Sequence, residues 1–293
     1  MIAESVRQRL RYVKLADPDV NLDRFPDFLI VGPQRTGTTW LHANLRFHPQ
    51  IMLSEPKEIF FFSRLKTPDS PKFQSNDLRW YLRFFRDPLW LRLAKTAICL
   101  WKYWELYRPA VRGEATASYA VLDRDVIEEI VALNPAIKVI LMIRDPVERA
   151  WSHAKKDLVR NRGRRFEDVP EAEFHQFFND QYQRQCARYV DQCERWSASL
   201  KTRHLFVGLF DDIATRPEEL LLQVMTFLGV RSHRRYVGAD VREAVNPTAA
   251  SRIPPQYRHY IEESLKDDME QLKVRFQLAW PLLPGSSARS FIL

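Results

Sequence analysis

Three cysteines among 293 residues, Cys99, Cys186 and Cys193, are odd in number and form no C-x-x-C pair. That excludes a disulfide framework and a thiolate zinc site, and it points to a reducing, cytoplasmic setting. The seven histidines are scattered, with no H-x-x-x-H pair, so no metal is expected. Long apolar runs are scarce as well. The opening stretch, MIAESVRQRLRYVKLADPDV, carries Glu4, Arg7, Arg9, Arg11 and Lys14 and lacks the apolar centre of a signal peptide. Residues 1–25 are expected to form an amphipathic lead-in helix. The one candidate membrane segment, LWLRLAKTAICLWKYW from Leu89 to Trp104, is shorter than a span and is interrupted by Arg92, Lys95 and Lys102. Packing against the fold or lining a cleft is expected of it, not stable membrane insertion. With no internal repeat and no low-complexity linker, a single domain over 1–293 is expected.

What is present is ordinary globular material, 45% hydrophobic and 28% charged, with a formal net charge of +8 and a pI near 9.4. Such a balance suits an anionic ligand, a nucleic acid or an acidic membrane surface, and charge alone does not choose among them.

The informative stretch is FLIVGPQRTGTTW, Phe28 to Trp40. Phe28 to Val31 reads as a strand buried on both faces. Gly32 and Pro33 end it, Gly37 permits a tight turn, and Thr38, Thr39, Trp40 and Leu41 open a helix. A strand, a glycine-bounded loop and a helix N-terminus present backbone N–H groups at the positive end of a helix dipole, which is an anion cradle. Gly32 and Gly37 bracket four residues, as in the nucleotide phosphate loop G-x-x-x-x-G-K-[ST]. Thr38, however, occupies the lysine position, and the cation is Arg35, inside the loop. The anion is therefore expected to be a phosphate or sulfate other than the γ-phosphate of ATP.

A second apolar strand, KVILMI from Lys138 to Ile143, delivers Arg144-Asp145-Pro146, and Pro146 starts a helix carrying Glu148, Ser152 and His153. In an open parallel sheet ligands bind beyond the carboxyl ends of the strands, so Arg144 can face the same crevice as Arg35. It can equally pair with Asp145 or Glu148 as a structural ion pair. Ser152, two helical turns on, joins the crevice only if the chain folds it back. Glu58 stands before three aromatics, Phe60, Phe61 and Phe62. It reads either as a desolvated general base or as a surface acid whose aromatic neighbours enter the core.

Elsewhere, helices are expected over 77–85, 123–133, 171–200, 217–228 and 254–276, a short strand or extended piece over 50–54, a strand or extended piece followed by a small-residue turn within 111–119, and a strand over 204–209. Arg160, Arg162, Arg164 and Arg165 make a basic loop, either solvated or able to gather an acidic acceptor. The fold expected is α/β, a single P-loop-like domain with a central parallel sheet flanked by helices.

The pair PQRTGTTW and KVILMIRDPVERAWSHA resembles the sulfotransferases that depend on 3′-phosphoadenosine-5′-phosphosulfate (PAPS), of both the cytosolic and the carbohydrate-modifying kinds. The resemblance implies that Arg35 takes the place of a loop lysine contacting the transferring sulfuryl group. Thr36, Gly37, Thr38 and Thr39 would line the 5′-phosphate, and Trp40 would stack on the adenine. Arg144 and Ser152, eight residues apart, would bind the 3′-phosphate, and Arg252, in NPTAASR, is a weaker candidate for that contact. KEIFFF is similar to the heparan-type segment that supplies the catalytic base, which assigns that role to Glu58, with Glu55 next in line. The likeness runs over roughly residues 27 to 280, through Trp80-Tyr81 and GEATASY at Gly113 to Tyr119. Arg35 in place of lysine keeps the charge but not the ability to donate a proton. Ala115 stands where heparan-type enzymes often have lysine, and the cytosolic branch's histidine and Lys-Thr-Val-Glu pattern have no counterpart. The implied acceptor is a carbohydrate or small-molecule hydroxyl, or an amine. A P-loop kinase or ATPase, and a nucleic-acid or anionic-surface binder, are the other readings the residues leave open.

Overall fold

The computed structural model describes residues 2–17, 20–243, 252–282 and 288–293. Its centre is a six-stranded sheet in the order β2-β3-β1-β4-β5-β6, where β1 is Phe28–Val31, β2 Ile51–Leu53, β3 Val111–Ala115, β4 Lys138–Ile143, β5 Leu205–Leu209 and β6 Phe291–Ile292. The first five run parallel, and β6 adds an antiparallel edge against β5. β1 lies between β3 and β4, with Phe28 opposite both Gly113 and Lys138 and Val31 opposite Leu141.

Alternation along these strands builds two cores. Leu29, Val31, Val139, Leu141, Ile143 and Val207 face one side, and Phe28, Ile30, Ile140, Met142 and Phe206 face the other. Every residue of β1 is buried, as a strand covered by helices on both faces requires. Because β1 and β4 are parallel neighbours, the loops that follow them leave the sheet at the same end. Helices flank the sheet on both sides, so the expected architecture holds.

Three expectations need correction. The lead-in is not one helix: Glu4–Arg7 forms a single turn, and the chain beyond it is captured by Glu129, whose buried carboxylate accepts from the N–H groups of Arg11, Tyr12 and Val13 at 3.0, 2.9 and 2.9 Å. Those donors would otherwise serve a helix. The segment 171–200 is three helices, Glu171–Asn179, Gln181–Ala187 and Tyr189–Ser197. Asp180 breaks it by accepting from the N–H groups of Tyr182 and Gln183. Likewise 254–276 divides at Leu265 into Pro255–Ser264 and Lys266–Phe276.

Among the described residues no helix is long and apolar enough to cross a membrane, and all three cysteines are buried and outside any disulfide. The amphipathic helix Leu89–Tyr103 forms, but it leaves much of its apolar side exposed. It meets the fold through Lys95 and Cys99, for reasons given below.

Candidate active site

The loop after β1 is shaped by two glycines. Gly37 has φ +97, and a Cβ there would lie 2.4 Å from Ile213 Cδ1; one at Gly32 would lie 2.5 Å from the Met142 carbonyl oxygen. Any other residue would therefore push the loop off β4 and the Ile213 side chain. Arg35 also adopts a left-handed conformation, φ 78, a local cost characteristic of functional loops. Thr36 is fully buried and closes the turn by donating to the Pro33 carbonyl at 2.8 Å. Thr38 then opens the helix Thr38–Leu45, whose first N–H groups and dipole face the loop.

At the end of β4, Asp145 caps the helix Pro146–Ala154 by accepting from Val147 and Glu148 N–H at 2.8 and 3.2 Å. With its carboxylate so engaged, Asp145 makes no ion pair with Arg144. Arg144 instead donates from Nη1 to the Arg35 carbonyl at 3.4 Å and lies 4.3 Å over the Phe210 ring. Its approach to Glu148 is a long 3.9 Å, while Arg258 holds Glu148 at 2.8 Å. Ser152 is folded back to the crevice, and Arg35 Nε donates to its Oγ at 2.9 Å. Arg35, Arg144 and Ser152 thus form one cluster. Burial lowers the affinity of both guanidiniums for their protons, and for Arg35 the nearby cations Arg144 and Arg160 act in the same direction. Like charges held together beside a helix N-terminus make a local field that favours an anion.

Trp40 is 4% exposed, and its indole Nε1 donates to the Val241 carbonyl at 3.0 Å. The ring is packed in the core beneath the loop and does not stand free as a platform. Arg252 is exposed, and Asn246 to Ser251 lie outside the described residues.

Glu58 sits at the mouth of β3. Its N–H donates to the Ala115 carbonyl at 3.0 Å, and its carboxylate takes the Lys57 ammonium at 2.8 Å. Both Glu58 and Phe60 have positive φ, 66 and 60, so the turn carrying the carboxylate is strained at two non-glycine positions. Glu55 points elsewhere, toward Arg46 at 3.5 Å.

What holds that turn was not assigned from the sequence. Glu114, at 0% exposure, accepts from Thr116 Oγ1 at 2.6 Å, from the Tyr81 and Tyr119 hydroxyls and from the Ile59 N–H, the residue next to Glu58. Burial raises its pKa to about 7 despite these donors. A carboxylate in an otherwise apolar strand end was a legible sign of a buried acid needing partners, but the four donors come from three separate segments.

Beside this turn opens a cavity of about 590 Å³, bordered by Gln34, Phe60, Ser63, Ser118, His153 and Tyr182 among others. Tyr182 donates to Gln34 Oε1 at 2.7 Å, tying the phosphate loop to the cavity wall. Of the arginines after the helix Pro146–Ala154, Arg162 and Arg164 both reach Glu173, at 3.0 and 2.8 Å, and Arg165 reaches Asp168 at 3.3 Å, while Arg160 lies on the side of Arg35.

A glycine-bounded loop on a parallel sheet, with a second cationic strand end closing on it, defines an α/β protein whose crevice is suited to an anionic group. Residues 26–234 match the profile of the sulfotransferase family, and the chain belongs to that family. It is 26% identical over 227 residues to the mouse bifunctional heparan sulfate N-deacetylase/N-sulfotransferase 4, an alignment covering 73% of this chain and 23% of that protein. It is 31% identical over 127 residues to the membrane-associated sulfotransferase kil1 of Dictyostelium discoideum, covering 43% of this chain and 22% of the relative. The chain therefore matches less than a quarter of the length of these relatives. A sulfotransferase from Alicyclobacillus acidocaldarius shares the fold, with a TM-score of 0.60 at 22% identity over 86% of this chain and 96% of that one.

Proposed function

We propose that this protein transfers the sulfuryl group of PAPS to a hydroxyl or amine of a carbohydrate or small-molecule natural product. The observation that carries the reading is the 2.9 Å bond from Arg35 to Ser152 with Arg144 against the Arg35 carbonyl, since it unites the two segments that would hold the two ends of one nucleotide. The residues fit that group: a glycine cradle that a Cβ would fill, two cations, hydroxyls at Thr38, Thr39 and Ser152, and the backbone of Thr36, whose own hydroxyl closes the turn.

PAPS when bound supplies an activated sulfuryl group and a leaving phosphate. Arg35 and the loop N–H groups neutralise the charge that grows on the leaving oxygen. Arg144 and Ser152 hold the 3′-phosphate, with Arg252 a further candidate. Thr36, Gly37, Thr38 and Thr39 surround the 5′-phosphate, and Trp40 anchors the helix start beneath them. Glu58 accepts the proton of the attacking group as its oxygen or nitrogen bonds to sulfur, while the bridging sulfur–oxygen bond breaks toward the nucleotide. The cavity beside Glu58 and Gln34 receives the acceptor, and the heparan sulfate relatives favour a sugar there. No residue role requires a metal, and the three reduced thiols suit a cytoplasmic setting.

Calorimetric titration with 3′-phosphoadenosine-5′-phosphate (PAP), ATP and AMP tests the reading. Selective binding of the 3′-phosphorylated nucleotide is expected; binding of ATP in its place would return a kinase reading, and steeply salt-dependent polynucleotide binding would favour a nucleic-acid role.

A further inference from the structure

The helix Leu89–Tyr103 is amphipathic in the inverse sense. Its inward side is anchored by polar groups: the Lys95 ammonium on Asp87 at 2.8 Å, with the Tyr107 hydroxyl on the same carboxylate at 2.9 Å, and Cys99 Sγ toward the Phe47 carbonyl at 3.7 Å. Its outward side is apolar. Leu89, Leu93, Leu100 and Trp104 recur at helical spacing with Trp90 and Trp101 beside them. The tryptophans are 70%, 79% and 91% exposed in chain order. A water-facing helix normally shows the opposite arrangement, and an exposed patch of this composition marks a contact surface.

The charge around the patch selects the occupant. Arg92 and Lys102 on the helix, and Arg86 and Arg108 just beyond its ends in the chain, are exposed. The acids in that stretch are neutralised within the fold, Asp87 by Lys95 and Glu105 by Arg231 and Arg235. A second copy of the chain, meeting this face symmetrically, would bring a patch flanked by Arg92 and Lys102 against another of the same sign, with no acid of the patch free to offset it. An anionic bilayer offers the complementary charge together with an interface in which tryptophan is favoured. At 15 residues the helix is short of the roughly 20 needed to span, so it lies flat. We infer that Leu89–Trp104 is a peripheral membrane-binding element that seats its leucines and tryptophans in the headgroup region of an anionic phospholipid surface.

Flotation of the full chain with vesicles of phosphatidylcholine alone, and of phosphatidylcholine mixed with phosphatidylglycerol, tests the inference. Binding to the anionic vesicles is expected, with a blue shift of tryptophan emission and quenching by brominated lipid. Replacing the exposed tryptophans together (Trp90→Ser, Trp101→Ser, Trp104→Ser) should weaken partitioning by about 100-fold, and Arg92→Ser by about fivefold. Because these side chains are exposed, the thermal midpoint should not move. Equal binding to neutral and anionic vesicles, or unchanged binding by the triple variant, would overturn the inference. So would a lipid-free dimer, seen by sedimentation, that dissociates on Trp101→Ser, since the occupant would then be a second copy.

Discussion

Glu114 offers a perturbation whose size can be worked from its surroundings. It is wholly buried, and its pKa moves from 4.5 to about 7 because desolvation outweighs the donors from Thr116, Tyr81, Tyr119 and Ile59. Since the folded-state value is raised, the stability linked to this group is fully present below about 4.5 and is lost as pH rises through about 7. At 1.36 kcal/mol per pKa unit, that displacement is worth roughly 3 kcal/mol. Glu114→Gln keeps the shape and cannot ionise. The Gln carbonyl can still accept from the Ile59 N–H, while the Tyr and Thr hydroxyls can turn to accept from its amide. Denaturant unfolding of both proteins from pH 4 to pH 8 is the assay. The stability difference, variant minus wild type, should rise by roughly 3 kcal/mol across that window, the wild type losing ground as Glu114 ionises. A difference independent of pH would refute the buried-acid reasoning. The variant should also lower kcat while leaving PAP affinity unchanged, because the network reaches the turn carrying Glu58 but not the phosphate loop.

Three further outcomes follow from the site. Glu58→Gln should reduce sulfuryl transfer by roughly 10²–10⁴-fold with nearly unaltered PAP affinity by calorimetry; a fully active variant would move the base elsewhere. Arg144→Ala should bind nucleotides with and without a 3′-phosphate equally, and a preserved preference would sink its assignment. Gly37→Ala places a methyl against Ile213 at a φ of +97, so it should cost about 1–3 kcal/mol of stability and lose PAP binding, both read by thermal unfolding with and without the nucleotide.

Much of the site was legible because its parts are local. Apolar runs at 28–31 and 138–143, a glycine-bounded turn and an Asp-Pro helix start each declare themselves within a dozen residues, and the parallel-sheet rule brings two strand ends to one crevice. Resemblance, not pattern, singled out Glu58, since an acid before aromatics has two equally physical readings. The helical period over 171–200 was real but hid two breaks, because Asp180 caps and Arg188 departs from helical geometry without any proline to mark the place.

The sequence by itself determined the class of fold and the two loops that form the crevice suited to an anion, through strand burial, glycine conformation and charge placed at helix starts. Tertiary structure alone decided that Arg35 would meet Ser152 across 117 residues, that Glu114 would gather donors from three segments, and that the helix Leu89–Tyr103 would turn its leucines and tryptophans outward. A periodic pattern states that a helix has two faces. Which face is buried depends on what neighbouring elements offer, and here Asp87, Tyr107 and the Phe47 carbonyl offered partners to the polar side.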